Sequence, residues 1–114
     1  MGDCLFCSIA SGQTETLLVY EEQNVVAFED INPQAPTHLL IVPKQHIPTV
    51  NDLNSEHESL VGELFTTARR LADRMDLKED GYRLVMNCGE GAGQSVFHLH
   101  LHLLSGRPFS WPPG

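Results

Sequence analysis

Basic residues are scarce in this sequence of 114 residues. Lys and Arg total seven against fifteen Asp and Glu, which gives a formal net charge of −8. Proteins whose main partner is DNA or RNA present a basic surface to the phosphate backbone, so this balance argues against nucleic acid as a partner. A single nucleotide is compatible with an acidic chain, because a few backbone N–H groups and histidines can hold one phosphate.

Long apolar runs and cysteines are also few. No apolar run approaches the ~20 residues of a membrane span, and no basic segment precedes an apolar stretch at the N-terminus. We therefore expect neither a signal peptide nor a membrane partner. The three cysteines are an odd set that suits a reducing compartment better than a disulfide framework, which predicts a cytoplasmic protein.

The remaining pattern predicts one domain over residues 1–114, without repeats, low-complexity tracts or linkers. Five strands are predicted at residues 17–20, 25–28, 38–42, 82–87 and 96–104. Residues 21–24 are predicted to form a hairpin turn. The two prolines of segment 30–36 make that segment a loop, because proline cannot sit in a central strand.

One long helix is predicted between the third and fourth strands. Ser55 can cap it, and Glu58 three residues later completes a capping box. Its packing face consists of residues at helical spacing: Leu60, Val61, Leu64, Phe65, Ala68, Leu71, Ala72 and Met75. One long helix against about five hairpin-connected strands indicates an α+β domain with an antiparallel sheet. A chain this short would bury more surface as a dimer, which would also protect a sheet edge.

Three histidines alternate with apolar residues from Phe97 onward. In a strand, alternate side chains share a face, so His98, His100 and His102 would face a site while the apolar residues pack on the core. With a rise of ~3.3 Å per residue, His98 and His102 would lie roughly 13 Å apart along the strand. Since a zinc–nitrogen bond is only ~2.1 Å, all three histidines cannot easily share one metal, and different roles are expected.

A glycine-rich loop, residues 87–95, directly precedes these histidines. Glycines let backbone N–H groups approach an anion closely, so the loop is a candidate phosphate cradle. A neutral histidine is a good nucleophile toward phosphorus and can form a covalent intermediate. The loop and the alternating histidines therefore predict chemistry on a phosphate group, with the central His100 as the nucleophile.

Cys4 and Cys7 have the short spacing typical of zinc ligands, but such a pair needs two more ligands. The alternative is two half-buried thiols at the start of a short helix. A redox pair is disfavoured, because no thioredoxin-like βαβ context is visible. Cys88 beside the phosphate loop is interpreted as a turn filler, and His57 as a solvated side chain.

Taken together, these motifs resemble the histidine triad (HIT) family, and within it the Hint branch of purine nucleotide-binding phosphoramidases. The likeness covers nearly the whole chain. Its motifs are FEDINPQAPTH at 28–38, IVPKQHI at 41–47, GYRLVMN at 81–87, GQS at 93–95, the triad HLHLH at 98–102, GRP at 106–108 and WPPG at 111–114.

The resemblance implies a nucleotidyl-enzyme mechanism. His100 would attack the α-phosphorus, and water would then release AMP or GMP. The carbonyl of His98 would hold the other ring nitrogen of His100, and His38 would support His102. The implied substrate contacts are His102, Asn87, Gly93, Gln94 and Ser95 for the phosphate, with Ser95 also near the leaving amine, Asp30 for the ribose, and Phe28 and Ile31 for the purine. From its sequence context alone, Asp30 is a turn former, and only the resemblance favours ribose binding over that role.

The resemblance also implies a HIT-like fold with a short N-terminal helix, and a homodimer in which Trp111 reaches toward the partner's site. Some members hold a structural zinc, and the matching ligands here are Cys4, Cys7, His46 and His98. That would leave His100 and His102 for phosphate chemistry, with no cofactor required for catalysis. Arg107 would neutralise phosphate or lie on a surface or dimer contact.

Several functions are compatible with these motifs. The leading hypothesis is a hydrolase of adenosine or guanosine 5′-monophosphoramidates. Another HIT branch provides the alternative of a dinucleoside polyphosphate hydrolase. A nucleotide-binding or scaffold protein with incidental catalysis is a third, and a metal-storage or metal-sensing protein a fourth. The GQS loop and the WPPG segment favour the first, and the presence of His100 and Ser95 disfavours the last two.

Overall fold

The structure, a computed structural model, describes residues 4–114. The first three residues of the predicted domain, and the expectation about a signal peptide that rests on them, lie outside the described residues. The elements are α1 (Leu5–Ala10), β1 (Leu18–Glu21), β2 (Val25–Glu29), β3 (Thr37–Pro43), α2 (Glu58–Arg74), β4 (Arg83–Val85) and β5 (Leu101–Ser105). Single 3₁₀ turns occur at Val50–Asp52, Ser55–His57 and Glu90–Ala92.

The strands form one antiparallel sheet in the order β1-β2-β3-β5-β4. The prediction of an α+β domain with five antiparallel strands, one long helix and a short N-terminal helix is confirmed. Within residues 4–114, no helix is both long enough and apolar enough to cross a membrane.

The two helices lie on opposite faces of the sheet. Odd-numbered β3 residues such as Leu39 and Ile41 pack with α2 residues including Leu64 and Leu71. Even-numbered β3 residues, such as Leu40, pack with Phe6, Ile9 and Ala10 of α1. Directly paired residues of an antiparallel sheet share a face, and Leu40 pairs with His102. His102 therefore lies on the α1 face.

The predicted strand 96–104 is wrong at its beginning, because ladder pairing starts only at Leu101. Ile41 pairs with Leu101, so the residues before Leu101 would have to pair with Val42 and Pro43 at the end of β3. Proline has no N–H to donate to a ladder. Leu99 instead donates its N–H to the Ile47 carbonyl at 2.7 Å. Phe97, which was expected on the core side, is 47% exposed.

The fourth strand is likewise shorter than predicted, with residues 83–85 in the sheet instead of 82–87. Its partner explains the difference. Val85 pairs with His102 near the beginning of β5, so little ladder remains for the residues that follow it.

The predicted helix cap is also wrong. Asn54, not Ser55, caps this region: its Oδ1 accepts the Glu56 N–H at 2.8 Å, and its own N–H is donated to His57 Nδ1 at 3.1 Å. This arrangement closes a 3₁₀ turn, and α2 begins only at Glu58. A histidine nitrogen here accepts the hydrogen bond that a Glu or Gln accepts in the usual capping box.

The packing face of α2 is narrower than predicted. Its buried apolar residues are Leu64, Ala68, Leu71 and Ala72, whereas Phe65 and Met75 are exposed. Thr67 is also buried. Within residues 4–114, its Oγ1 is the one buried side-chain polar atom without a hydrogen-bond partner.

Candidate active site

Backbone carbonyls set the proton positions on His98 and His100. His100 Nδ1 lies 2.7 Å from the His98 carbonyl oxygen, and His98 Nε2 lies 2.8 Å from the Pro43 carbonyl oxygen. Each of these nitrogens must carry the proton, because a carbonyl only accepts. In the neutral rings, His100 Nε2 and His98 Nδ1 therefore keep free lone pairs.

A backbone N–H sets the opposite pattern on His38. Gln34 donates its N–H to His38 Nδ1 at 3.0 Å, so the proton of neutral His38 lies on Nε2. That Nε2–H faces His102 Nδ1 at 2.9 Å and Asp30 Oδ2 at 3.4 Å. His102 consequently accepts at Nδ1 and carries its own proton on Nε2, where it can donate to a ligand oxygen.

The loop that presents Gln34 is fixed from outside the site. Arg107 Nε donates to the Gln34 carbonyl at 2.9 Å. Gly106 lies against Pro36 with φ +101°, where an added Cβ would approach the proline side chain to 2.8 Å. Residues after β5 therefore hold the loop that determines the His38 proton.

Burial lowers the pKa of three of the histidines, His38, His98 and His102. Burial is the main cause that lowers the pKa of His102 to about 4, with repulsion from His100 and His38 adding to it and Asp30 opposing it. Burial also lowers the pKa of His38, against the attraction of Asp30. The pKa of His98 is lowered chiefly by burial as well, although its bond to Pro43 opposes the shift.

A cleft of about 820 Å³ opens beside His100 and His102. It brings together seven of the predicted site residues: Phe28, Asp30, Ile31, His38, Ser95, His100 and His102. Its apolar wall includes Leu5, Phe6 and Ile9 of α1 together with Leu17, none of which the sequence analysis assigned to the site. A six-residue helix is too short for its periodicity to reveal a pocket wall.

The glycine-rich loop is held together by Gln94. Its side-chain oxygen accepts the Gly89 N–H at 2.8 Å, and its Nε2 donates to the carbonyls of Pro48 and Val96 at 2.8 and 3.1 Å. The backbone N–H of Gln94 is donated to the Gly89 carbonyl at 3.1 Å. Gln94 thus has no free donor, and its clearest role in the structure is to shape the loop. Gly93, with φ +99°, supplies the left-handed turn that the loop requires.

The remaining predicted substrate contacts do not line the cleft of this single chain. Asn87 is half-buried beside Gly93, and Trp111 is 82% exposed. Asp30 also forms the local turn that its sequence context suggested, since its Oδ1 accepts the Asn32 N–H at 2.8 Å.

His98 also belongs to a cluster of possible metal ligands. Cys4, Cys7, His46 and His98 direct one ligand atom each toward a common centre, all within 4.8 Å of one another. His98 Nδ1 lies 3.2 Å from His46 Nδ1, 3.4 Å from Cys4 Sγ and 3.5 Å from Cys7 Sγ. Zinc bonds of about 2.0–2.3 Å in a tetrahedron separate the ligand atoms by about 3.3–3.8 Å, so this donor set fits zinc.

The chemistry of this cluster also suits a metal. The free lone pair of His98 points into it, because the proton is held on the Pro43 side. Burial, and then the Cys4 sulfur, raise the pKa of the Cys7 thiol. A divalent cation is the partner that would stabilise both sulfurs as thiolates.

Comparison with known proteins identifies the family. The model for the family described as "Scavenger mRNA decapping enzyme C-term binding" matches residues 3–109. The chain is also 47% identical to the purine nucleoside phosphoramidase of Escherichia coli K12 over 106 residues, 93% of this chain and 89% of that protein. The chain belongs to the histidine triad family.

Other HIT proteins match over nearly their whole length. An uncharacterized HIT-like protein of Synechocystis is 45% identical, covering 98% of this chain and 97% of that protein. A HIT family hydrolase from Legionella pneumophila superimposes with a TM-score of 0.96 at 53% identity, covering 98% and 100% of the two chains. A histidine triad protein from Clostridium difficile gives 0.93 at 37% identity, covering 96% of each. The chain is therefore an enzyme of the HIT type.

Proposed function

We propose that this HIT protein hydrolyses purine nucleoside 5′-monophosphoramidates through a nucleotide bound covalently to His100. The observation that carries the proposal is the 2.7 Å contact between His100 Nδ1 and the His98 carbonyl. It leaves Nε2 as an unprotonated nucleophile at the cleft, as an attack on phosphorus requires. The relative from E. coli that bears the name purine nucleoside phosphoramidase supports the substrate class.

The reaction would proceed in two displacements. His100 Nε2 forms a bond to the α-phosphorus while the bond from phosphorus to the leaving amine breaks, and the amine takes up a proton from solvent water. The positive charge on the His100 ring is stabilised by the His98 carbonyl. Water then attacks phosphorus and releases a proton to solvent while the bond to Nε2 breaks. The nucleoside monophosphate leaves, and His100 returns to its neutral imidazole.

His102 would bind the phosphate as a neutral donor. Its Nδ1 accepts from His38, so Nε2–H is directed to an acceptor such as a phosphate oxygen. A pKa of about 4 keeps the ring in this form at neutral pH. Ser95 lines the same cleft and can contact the phosphate or the departing amine.

The nucleoside would occupy the apolar part of the cleft. Phe28 and the α1 residues Phe6 and Ile9 form a wall against which a purine can stack. Asp30 lies at the same opening and would accept hydrogen bonds from the ribose hydroxyls. Nothing in this wall distinguishes adenine from guanine, so the proposal covers both AMP and GMP derivatives.

The proposal includes one structural zinc and a homodimer. Cys4, Cys7, His46 and His98 would hold the metal as a closed four-ligand site, which suits a structural role because no position is left for water or substrate. The three-residue edge strand β4 and the exposed Phe65, Met75 and Trp111 are candidate contacts with a second copy.

The direct test is incubation with adenosine 5′-phosphoramidate, with AMP release measured for the wild type, His100→Ala and the control His57→Ala. His57 is a histidine outside the cleft, so its loss should leave turnover unchanged. His100→Ala should lose essentially all turnover. Intact-mass and peptide analysis of the quenched wild type should place the nucleotide on His100. Turnover of diadenosine tetraphosphate in preference to the phosphoramidate would favour the dinucleoside polyphosphate alternative.

A further inference from the structure

We propose that the Cys4–Cys7–His46–His98 cluster positions both the nucleophile and the purine wall, so that metal and nucleotide bind with positive cooperativity. This inference rests on the proposed function, since it requires a nucleotide in the cleft and a metal in the cluster. It assigns the four ligands a role in substrate binding in addition to stabilising the fold. Three separate connections join the cluster to the cleft.

The first connection is α1. Cys4 caps this helix by accepting the Cys7 N–H, so both sulfur ligands are part of one short element. The same helix presents Leu5, Phe6 and Ile9 to the cleft. Phe6 packs edge-on against His100, with ring centroids 5.1 Å apart at 87°, and against Phe28 at 5.4 Å. A metal that fixes the two sulfurs therefore also fixes the wall beside the nucleophile.

The second connection is His98 itself. Its ring supplies Nδ1 to the cluster, and its carbonyl accepts the Nδ1–H of His100. The ring is fully buried between the cluster and the Pro43 carbonyl. Fixing the ring restrains the peptide that orients His100, because these two residues lie in irregular backbone without a strand ladder to hold them.

The third connection is the segment after β3. His46 is a cluster ligand, the Ile47 carbonyl accepts the Leu99 N–H at 2.7 Å, and the Pro48 carbonyl accepts the Gln94 side chain at 2.8 Å. Three consecutive residues thus join the cluster to the histidine segment and to the glycine-rich loop. Movement of His46 would be transmitted to both sides of the phosphate position.

A six-residue helix is not stable alone, since its few backbone hydrogen bonds do not offset the conformational entropy that is lost in ordering it. Without metal, α1 would be held by its apolar contacts and would order less completely. A nucleotide that needs the α1 wall would then have to order it on binding, whereas a bound metal has ordered it beforehand. By thermodynamic linkage, the factor by which metal tightens nucleotide binding must equal the factor by which nucleotide tightens metal binding.

The experiment measures this factor from both directions with AMP as the probe. Calorimetry gives the AMP dissociation constant for zinc-loaded and chelator-stripped protein, with circular dichroism confirming that the stripped protein is folded. Competition with a chromophoric chelator gives the zinc dissociation constant with and without saturating AMP. We expect both ratios to agree and to be at least about fivefold, within the usual range of coupling between sites. Ratios of one overturn the inference and leave the proposed function intact.

A variant that keeps the metal provides the second measurement, and it serves even if the stripped protein unfolds. Phe6→Leu removes the ring contact with His100 but leaves all four ligands. In the zinc titration, the gain in zinc affinity on adding AMP should be clearly smaller in Phe6→Leu than in the wild type, and should persist in the α1 control Ser8→Ala. An unchanged gain in Phe6→Leu contradicts the α1 connection. Failure of zinc-loaded wild type to bind AMP overturns the proposed function and this inference together.

Discussion

Two clusters of two histidines each flank His100, and they are prepared for different occupants. In the cluster of Cys4, Cys7, His46 and His98, the Pro43 carbonyl draws the His98 proton outward and leaves a lone pair facing inward. In the cluster of Asp30, His38 and His102, the Gln34 N–H forces the His38 proton inward. Two histidines and a carboxylate can bind a transition metal, but here a proton occupies the centre. Backbone hydrogen bonds, more than residue types, distinguish the proposed metal site from the cluster that holds a proton.

The largest effect is expected from removing the sulfurs. In the double variant Cys4→Ser and Cys7→Ser, the metal content should fall from one zinc per chain to none. Metal at 1,000 times its dissociation constant contributes about 4 kcal/mol to the free energy of unfolding, so the melting temperature should fall by roughly 10–20 °C. Elemental analysis and scanning calorimetry measure both quantities.

The control for that experiment is Cys88→Ser, which removes a half-buried thiol outside the cluster and should change neither quantity. A double variant that retains zinc would show that the four-ligand site is wrong. A second zinc per wild-type chain would mean that the Asp30 cluster also binds metal, which would remove the distinction between the two clusters.

The next largest effect is expected in the second cluster. His38→Ala removes the donor to His102 Nδ1, so His102 can place its proton on either nitrogen and no longer presents a fixed donor. Turnover of adenosine 5′-phosphoramidate should fall about a hundredfold, the lower end of what a positioned proton donor contributes. Zinc content should stay at one per chain. Loss of zinc in this variant would show that the clusters are not separate.

A smaller effect concerns pH. The folded-state pKa of His102 is about 4, against 6.5 for the free side chain. Between these values the unfolded chain binds more protons, so stability present above pH 6.5 is lost as the pH falls toward 4. The contribution of this half-buried ring is about 1–2 kcal/mol after allowance for solvent screening. Urea unfolding at pH 7 and pH 4.5 should show that loss in the wild type and a smaller one in His102→Gln. Equal losses would contradict the assigned pKa.

The smallest effect should come from a change that reaches neither cluster. Thr67→Val replaces the unpartnered buried hydroxyl of α2 by a methyl group. It should raise the free energy of unfolding by about 1 kcal/mol, because an unsatisfied buried polar group carries a desolvation cost. Zinc content and turnover should not change. Altered turnover would show that general stability affects the cleft. Loss of turnover in the other variants would then not identify a role in the reaction.

The sequence was most informative where side-chain patterns repeat. The apolar spacing around Leu64, Ala68 and Leu71 predicted α2, and the turn and proline signals separated β1, β2 and β3. The family resemblance predicted seven of the residues that line the cleft. These features depend on side-chain type, which a sequence records directly.

The sequence was least informative where backbone groups decide. The alternation of His98, His100 and His102 mimics a strand, yet the first two lie outside the sheet because β3 ends at Pro43 and His100 bonds to backbone two residues earlier. The Gln34 N–H that orients His38 is a group every non-proline residue possesses, so no residue type marks it. The part played by α1 in the cleft depends on a tertiary contact that no local pattern shows.

The Pro43 carbonyl, the His98 carbonyl and the Gln34 N–H have a consequence for protein engineering. A designer who transplants the three triad histidines onto a regular strand of another scaffold would copy the imidazoles and lose the peptide groups that assign their tautomers. In such a graft each neutral ring could carry its proton on either nitrogen, so neither the nucleophile nor the phosphate donor would be fixed. A successful graft would have to reproduce the main-chain conformation at residues 34, 43 and 98, because these peptide groups determine how the histidine side chains can act.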